Sequence, residues 1–344
     1  MSAVQTPAQT PGQAPAQLPA LRLGTRRSAL ARTQSEHVAR ALRERTGRAV
    51  ELVEVTTPGD VSRASLLVIG GTGVFVSALR DALLEGRVDL AVHSLKDLPT
   101  GPADGLAVAA VPEREDPRDV LVARGGAGLA DLPRGARVGT GSPRRAAQLR
   151  AHRPDLRVVD VRGNVDTRLR MVSGGGLDAV VLARAGLLRL GRADEASEVL
   201  EPDVLLPAPG QGALAVECRA DDEQVLAACA QLEHPASRAE VTAERALLAA
   251  LEAGCTAPVG ALARTGPDGS LQLRALVASP DGAARLERSG RASSPAPADA
   301  RHLGQRLAGD LLAAGAADLA ALPAPTPTHQ DDAVAAGPPE RVHP

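Results

Sequence analysis

Short apolar runs alternate with helix-length amphipathic segments from Leu21 onward, and that alternation confines the chain to an α/β fold. Leu21 to Thr25, Val50 to Thr56 and Val88 to Val92 read as strands, with helices from Ser28 to about Arg45 and from Phe75 to Glu85 between them. A βαβαβ order predicts a largely parallel sheet with helices on its faces. The pattern restarts after the polar run Pro112 to Arg118, with strands at Val120 to Ala123, Arg137 to Gly139, Leu156 to Val161 and Ala179 to Leu182 and helices opening near Ser142 and Asn164. The turn-rich Leu205 to Gly212 leads into an apolar strand, Ala213 to Glu217, expected to return to the first sheet and so create two crossovers and a hinge. An amphipathic helix ending at Glu252, strands near Val259 to Ala263 and Leu271 to Val277, and a helix near Ala298 to Ala314 make a small α+β unit.

The expected organisation is therefore a tail (1–20), a first α/β lobe (21–112 plus 213–234), a second α/β lobe (118–208), a C-terminal α+β domain (237–322) and a second tail (323–344). Both tails are Ala- and Pro-rich with little to bury and are expected to be disordered. At 344 residues and 44% hydrophobic content the rest can fill real cores. The formal net charge of -2 gives no whole-chain attraction to nucleic acid or an anionic membrane. No run approaches the ~20 apolar residues of a membrane span, and no basic, apolar leader opens the chain, so a cytoplasmic protein is expected. Cys218, Cys229 and Cys255 are odd in number and widely spaced, which fits neither a disulfide framework nor a zinc site. No histidine pair has metal-ligand spacing, so no metal is expected.

One lysine, Lys96, stands among 39 basic residues, and Phe75, Asn164 and Ile69 are each the sole residue of their type. These types share A/T-rich codons, so a G/C-rich genome would retain them mainly where substitution fails. Lys96 and Asn164 both fall in candidate site segments, while Ile69 and Phe75 flank Gly70-Gly71-Thr72-Gly73.

Three loops share one design, in which a strand ends, small polar or basic residues follow, and a helix begins. They are Thr25-Arg26-Arg27-Ser28, Thr140-Gly141-Ser142-Pro143-Arg144-Arg145 and Arg162-Gly163-Asn164. Free N–H groups at a helix start beside arginine suit a carboxylate or phosphate. In open α/β sheets such loops gather at the carboxyl ends of strands, so all three are expected to face one crevice. Any single arginine here reads first as part of a solvated helix face. Nucleic acid is opposed by the lack of aromatic side chains for base stacking. His93-Ser94-Leu95-Lys96-Asp97 follows an apolar strand, which puts Asp97 at the crevice rim, where a carboxylate can accept N–H bonds and stabilise a developing cation. Cys218 and Cys229 read as core residues. Cys255, between Gly254 and Pro258, sits in a turn and on spacing alone reads equally as functional or structural. The glycine-rich Gly70 to Gly73 lacks the Lys-Ser/Thr ending of a nucleotide loop. Two α/β lobes with two crossovers also describe solute-binding receptors, but no secretion signal accompanies them here.

In order along the chain, A-V-H-S-L-K-D-L-P (91–99), P-E-R-E-D-P-R-D (112–119), V-R-G-N-V-D-T-R-L (161–169), L-P-A-P-G-Q-G-A (206–213), V-T-A-E-R-A (241–246) and L-E-A-G-C-T-A-P-V-G (251–260) resemble the hydroxymethylbilane synthase (porphobilinogen deaminase) family. The resemblance covers nearly all of Leu21 to Leu322. It implies two periplasmic-binding-protein-like α/β lobes joined by a double-crossover hinge, plus a C-terminal α+β domain. It implies a transferase that joins four porphobilinogen molecules head to tail with loss of ammonia, giving the linear hydroxymethylbilane of haem and tetrapyrrole biosynthesis. The implied cofactor is a dipyrromethane held by a thioether to Cys255. By resemblance Asp97 is catalytic, and Ser94, Lys96, Asp97, Thr140, Ser142, Arg144, Arg145, Arg162 and Gly163 hold the cofactor. Arg26, Ser28, Arg168 and Arg189 would position substrate carboxylates. Porphobilinogen is the expected partner, with no nucleic acid, membrane or second copy of the chain. One departure is Thr72, where many family members carry lysine. Another is Asp166, which puts a carboxylate inside the arginine loop.

Overall fold

The computed structural model describes residues 19–55, 73–254 and 257–320. Ile69, Thr72, Cys255, residues 1–18 of the first tail and the whole of the second tail lie outside the described residues. The first sheet contains β1 (Leu21–Thr25), β2 (Val50–Glu54), β3 (Leu90–Ser94), β4 (Leu106–Ala110) and β10 (Leu214–Arg219) in the order β2-β1-β3-β10-β4. The second contains β5 (Asp119–Ala123), β6 (Arg137–Gly139), β7 (Arg157–Val159), β8 (Ala179–Ala183) and β9 (Glu198–Leu200) in the order β7-β6-β8-β5-β9. A third, antiparallel sheet of β11 (Val259–Thr265), β12 (Leu271–Ala278) and β13 (Arg285–Ala292) forms the C-terminal unit. The chain thus passes from the first sheet to the second between β4 and β5 and returns between β9 and β10.

Two expectations need correction. The first sheet is mixed: β1 is parallel to β2 and β3, but β10 enters antiparallel between β3 and β4. The returning strand comes from the far lobe and inserts against its neighbours' direction, which the local βαβ pattern does not encode. The second sheet is mixed too, because β5 runs antiparallel to β8 and β9. In addition, β3 begins and ends two residues later than the apolar run suggested, so Ser94 is its last residue.

The local chemistry explains the helices that bear on the site. Helix α1 (Ala29–Thr46) starts where the Ala31 N–H reaches Ser28 Oγ at 3.4 Å, and it buries Gln34, Ser35, Val38, Ala39 and Leu42 along one stripe. Helix α2 (Gly73–Leu84) follows in the same lobe. In the second lobe, α3 (Pro143–His152) has Ser142 as its cap and proline in its first turn. Helix α4 (Val165–Ser173) is capped by Asn164, whose Oδ1 accepts from the Thr167 N–H at 2.9 Å. Helix α5 (Arg184–Arg189) follows β8, and α6 (Glu223–Ala230) follows β10. Helices α7 (Pro235–Ala250), α8 (Pro297–Ala313) and α9 (Ala316–Ala320) belong to the third unit, with α7 and α8 packed on its sheet through Leu247, Leu303, Leu307 and Leu311. Along β5, Leu121 and Ala123 enter one core while Val120 and Val122 enter the core on the opposite face. Burial on both faces is why that strand is an unbroken apolar run.

A buried ion pair ties the three units at the crossovers. Glu244 of α7, with no exposure, accepts from Arg114 Nη1 at 2.8 Å and Nη2 at 3.0 Å. The same carboxylate accepts the Gly210 N–H at 2.6 Å and the Ala263 N–H at 2.8 Å. Arg114 lies in the first crossover, Gly210 in the second and Ala263 in β11, so one side chain bonds to all three segments. Gly212 lies beside them at φ 87°, and a Cβ there would stand 2.3 Å from Glu115 O. Replacing Glu244 by Ala should cost about 3–5 kcal/mol, because the buried Arg114 loses its two-pronged partner and keeps only Glu240 at 3.5 Å, while the Gly210 and Ala263 N–H groups lose their acceptor. Thermal and denaturant unfolding measure this, and a loss below about 1 kcal/mol, the scale of an exposed pair, would contradict it.

Candidate active site

In the first lobe, β1 and β3 end side by side. Gln34 of α1 donates from Nε2 to Ser94 Oγ at 3.1 Å, and Ser35 donates from Oγ to Thr25 Oγ1 at 2.9 Å. After Ser94 the chain makes one 3-10 turn, Leu95–Asp97, in which Leu95 is buried, Lys96 half-buried and Asp97 exposed. The third unit grips this turn from outside: Arg245 of α7 donates to Leu98 O at 2.7 Å and Pro99 O at 2.6 Å. Beneath it, His93 Nε2 lies 3.2 Å from Glu217 Oε2, and Arg80 Nη2 donates to Glu217 Oε1 at 2.9 Å. Burial pushes the Glu217 carboxyl up, but the His93 and Arg80 contacts outweigh it and hold the carboxyl below its ordinary range.

In the second lobe β6 runs into Thr140 and Ser142, and the first turn of α3 presents Arg144 and Arg145. Both turn inward onto Asp119, the first residue of β5 and wholly buried. Arg144 Nη2 donates to Asp119 Oδ2 at 2.8 Å and Nη1 to Leu206 O at 2.5 Å. Arg145 Nη2 and Nε donate to Asp119 Oδ1 at 2.7 Å and 3.1 Å, and Nη1 to Val181 O at 3.1 Å. Burial alone would raise the Asp119 carboxyl, yet the two guanidiniums hold it well below the ordinary carboxylate range. Burial lowers Arg144 from its ordinary value, Asp119 opposes that, and Arg145 adds to it. The buried Arg144 Nε has no hydrogen-bond partner among the described residues.

Gln211, from the second crossover, bridges the lobes. Its Oε1 accepts from Lys96 Nζ and from Arg145 Nη2, each at 3.3 Å. Its Nε2 donates to Pro117 O at 2.6 Å and Asp119 Oδ1 at 2.8 Å. Burial pushes the Lys96 ammonium down to about 8, with Asp97 and Asp119 opposing and Arg145 and Arg144 adding to the shift. The result is three cationic side chains around a single buried anion. Around this core, Arg168 Nε donates to Gly163 O at 2.9 Å and Arg189 Nη2 to Gly212 O at 2.6 Å. Burial lowers both guanidiniums, Arg189 to about 10 and Arg168 with further help from Arg145 and Arg162. Arg162 is half-exposed and 3.4 Å from Asp160. A cavity of about 280 Å³ opens between Thr140, Ser142, Arg150, Asp160, Arg162 and Pro280.

Lys96, Asp119, Arg144, Arg145 and Gln211 therefore form one connected cluster, with Ser94 and Asp97 beside Lys96 on the same turn. Thr140 and Ser142 lie at the start of α3, Arg162 and Gly163 at the start of α4, and Ser28 at the start of α1 with Arg26 just before it. Asp166 bonds to Arg192, not to an arginine of its own loop. Asp119, Gln211, Gln34, Arg114, Glu244 and Arg245 carry much of the geometry without having been singled out from sequence. The signal for Asp119 was present: a carboxylate heading the apolar strand Val120 to Ala123 demands a buried counter-charge.

The excess positive charge, the orphaned Arg144 Nε and the capped helix starts suit a ligand bearing several carboxylates, such as a dipyrromethane with acetate and propionate arms. Because the folded Asp119 carboxyl titrates below its unfolded value, its stabilisation is complete above the ordinary carboxylate range and is lost as pH falls through and below it. Asp119→Asn should cost about 3–5 kcal/mol at neutral pH. It should also flatten the fall in stability between pH 5 and pH 3, measured by urea unfolding. An unchanged acid limb would contradict the assigned pair.

Residues 21–227 match the family model described as porphobilinogen deaminase, dipyromethane cofactor binding domain, and residues 238–313 match porphobilinogen deaminase, C-terminal domain. Similar curated proteins include porphobilinogen deaminase 1 of Streptomyces coelicolor, 60% identical over 87% of this chain and 97% of that one. Another is the porphobilinogen deaminase of Thermobifida fusca, 57% identical over 87% and 95%. Among solved structures, a periplasmic substrate-binding protein of an ABC transporter from Coxiella burnetii is 14% identical, with a TM-score of 0.41 over 63% of this chain and 93% of that one. With both family models matched in order along most of its length, the chain belongs to the porphobilinogen deaminase family.

Proposed function

We propose that this chain is a working porphobilinogen deaminase, a transferase that condenses porphobilinogen head to tail with release of ammonia to give linear hydroxymethylbilane. The observation that carries the reading is the cationic cluster of Lys96, Arg144 and Arg145 around the single anion Asp119, beside the exposed carboxylate of Asp97. A bound dipyrromethane, tethered through Cys255, would supply a pyrrole carbon as the nucleophile. Ser94, Lys96, Thr140, Ser142, Arg144, Arg145, Arg162 and Gly163 would hold its carboxylate arms through charge-assisted bonds. Arg26, Ser28, Arg168 and Arg189 would hold those of the incoming substrate. The half-buried Arg168 and Arg189 are partly desolvated, which strengthens their pull on an anion.

Asp97 stands at the end of a turn fixed by Arg245, so its carboxylate is held while free to meet substrate. It would accept pyrrole N–H bonds and stabilise the cation left on the substrate as ammonia departs. A monomeric, cytoplasmic enzyme that needs neither nucleic acid nor membrane completes the proposal. No described helix is long and apolar enough to cross a membrane.

Asp97→Asn keeps the size of the side chain and removes the anion. Ammonia release and bilane formation from porphobilinogen should fall by roughly 10²–10³-fold, while fold and pyrrole content stay at the wild-type level. Near-normal turnover would remove Asp97 from the mechanism.

A further inference from the structure

Gln211 belongs to no residue set assigned above, yet it is held more completely than any of them. Its flanking glycines, Gly210 at φ 73° and Gly212 at φ 87°, allow a turn that other residues adopt only under strain. Its N–H donates to Ala208 O at 3.0 Å, and its carbonyl accepts from Arg114 Nε at 2.9 Å. The side chain, 1% exposed, spends both amide hydrogens on Pro117 O and Asp119 Oδ1 and both acceptor positions on Lys96 Nζ and Arg145 Nη2. Every hydrogen-bonding capacity of the carboxamide is used. Two of its partners come from different lobes: Lys96 from the turn that bears Asp97, and Arg145 from the start of α3.

We infer that Gln211 is the positioning residue that places and charges Lys96, joining the Asp97 turn of the first lobe to the arginine pair of the second through one shared amide oxygen. The inference rests on the proposed deaminase reading, in which these cations meet ligand carboxylates. A neutral amide is the side chain that suits this place. Its oxygen lets two like charges approach one acceptor without cancelling either, so the positive charge remains for the ligand. A carboxylate of the same size would neutralise one cation and would set a second anion against Asp119 and Pro117 O. An apolar side chain of the same size would leave Lys96 and Arg145 facing each other with no shared acceptor. The groups acting on Lys96 are Asp97 on its own turn, Asp119 on β5, and Arg144 and Arg145 on α3. Gln211 is the neutral group among them.

The chain has a single lysine, so protein labelled with ¹³C-lysine gives one Cε signal, and its pH titration reads Lys96 without assignment. The Lys96 midpoint of wild-type protein, used as purified, is the reference for both variants. In Gln211→Glu the added negative charge favours the ammonium and should raise the midpoint by about one unit or more. In Gln211→Met the loss of the acceptor should lower it. Intact mass should show less bound pyrrole in both variants than in wild type. Unchanged midpoints would overturn the inference, as would a shift of both variants in the same direction. If one variant does not fold, the direction of the other's shift decides. Wild-type protein with no pyrrole mass would overturn the deaminase reading, while the Lys96 titration still tests Gln211 independently.

Discussion

A carboxylate with no solvent contact, Asp119, holds two arginines of one helix turn, and the geometry of the site depends on that arrangement. Burying one anion with two cations is costly unless every bond is made and a further anion completes the balance. The protein satisfies most of the bonds with Leu206 O, Val181 O and Gln211. The remaining positive charge is the part of the balance left to a ligand. A polycarboxylate pyrrole chain would match that need in sign, and binding it would strengthen a site already partly desolvated.

The same economy of contacts governs the crossovers. Glu244 meets Arg114, Gly210 and Ala263, one partner from each crossover and one from the third unit's sheet. Its neighbour on α7, Arg245, holds the carbonyls just beyond Asp97. Two consecutive residues of a helix outside both lobes thus fix the hinge and the turn that carries the proposed catalytic carboxylate. Movement of the third unit would be felt at both places together, which is how a buried hydrogen-bonded network transmits displacement.

Much of this was legible in the chain itself. Ser28, Ser142 and Asn164 act as helix caps as their positions between strand and helix suggested, because capping is a local interaction. The return of a strand near Ala213 to the first sheet was also legible, from an apolar run following a turn-rich segment. Its antiparallel insertion between β3 and β4 was not, since a strand's direction is set by where the chain arrives from. Strands β9 and β13 escaped notice for a different reason: they are partly exposed and carry charged residues, so no clean apolar run marks them, while the short apolar LAVAA run of β4 was passed over. In the site, the residues carrying loop chemistry stood out, whereas Asp119, Gln211 and Glu244 did not. Their partners lie between 19 and 130 residues away, and no periodicity relates them.

The central claim is that this site is built around a tethered, carboxylate-rich pyrrole primer on Cys255. The most direct test is the intact mass of purified, acid-denatured protein beside that of its Cys255→Ala variant. The account predicts a wild-type mass exceeding the polypeptide by two linked pyrrole units and a variant mass equal to the bare chain. A bare wild-type mass that persists after incubation with porphobilinogen would contradict it, as would the same excess on the variant.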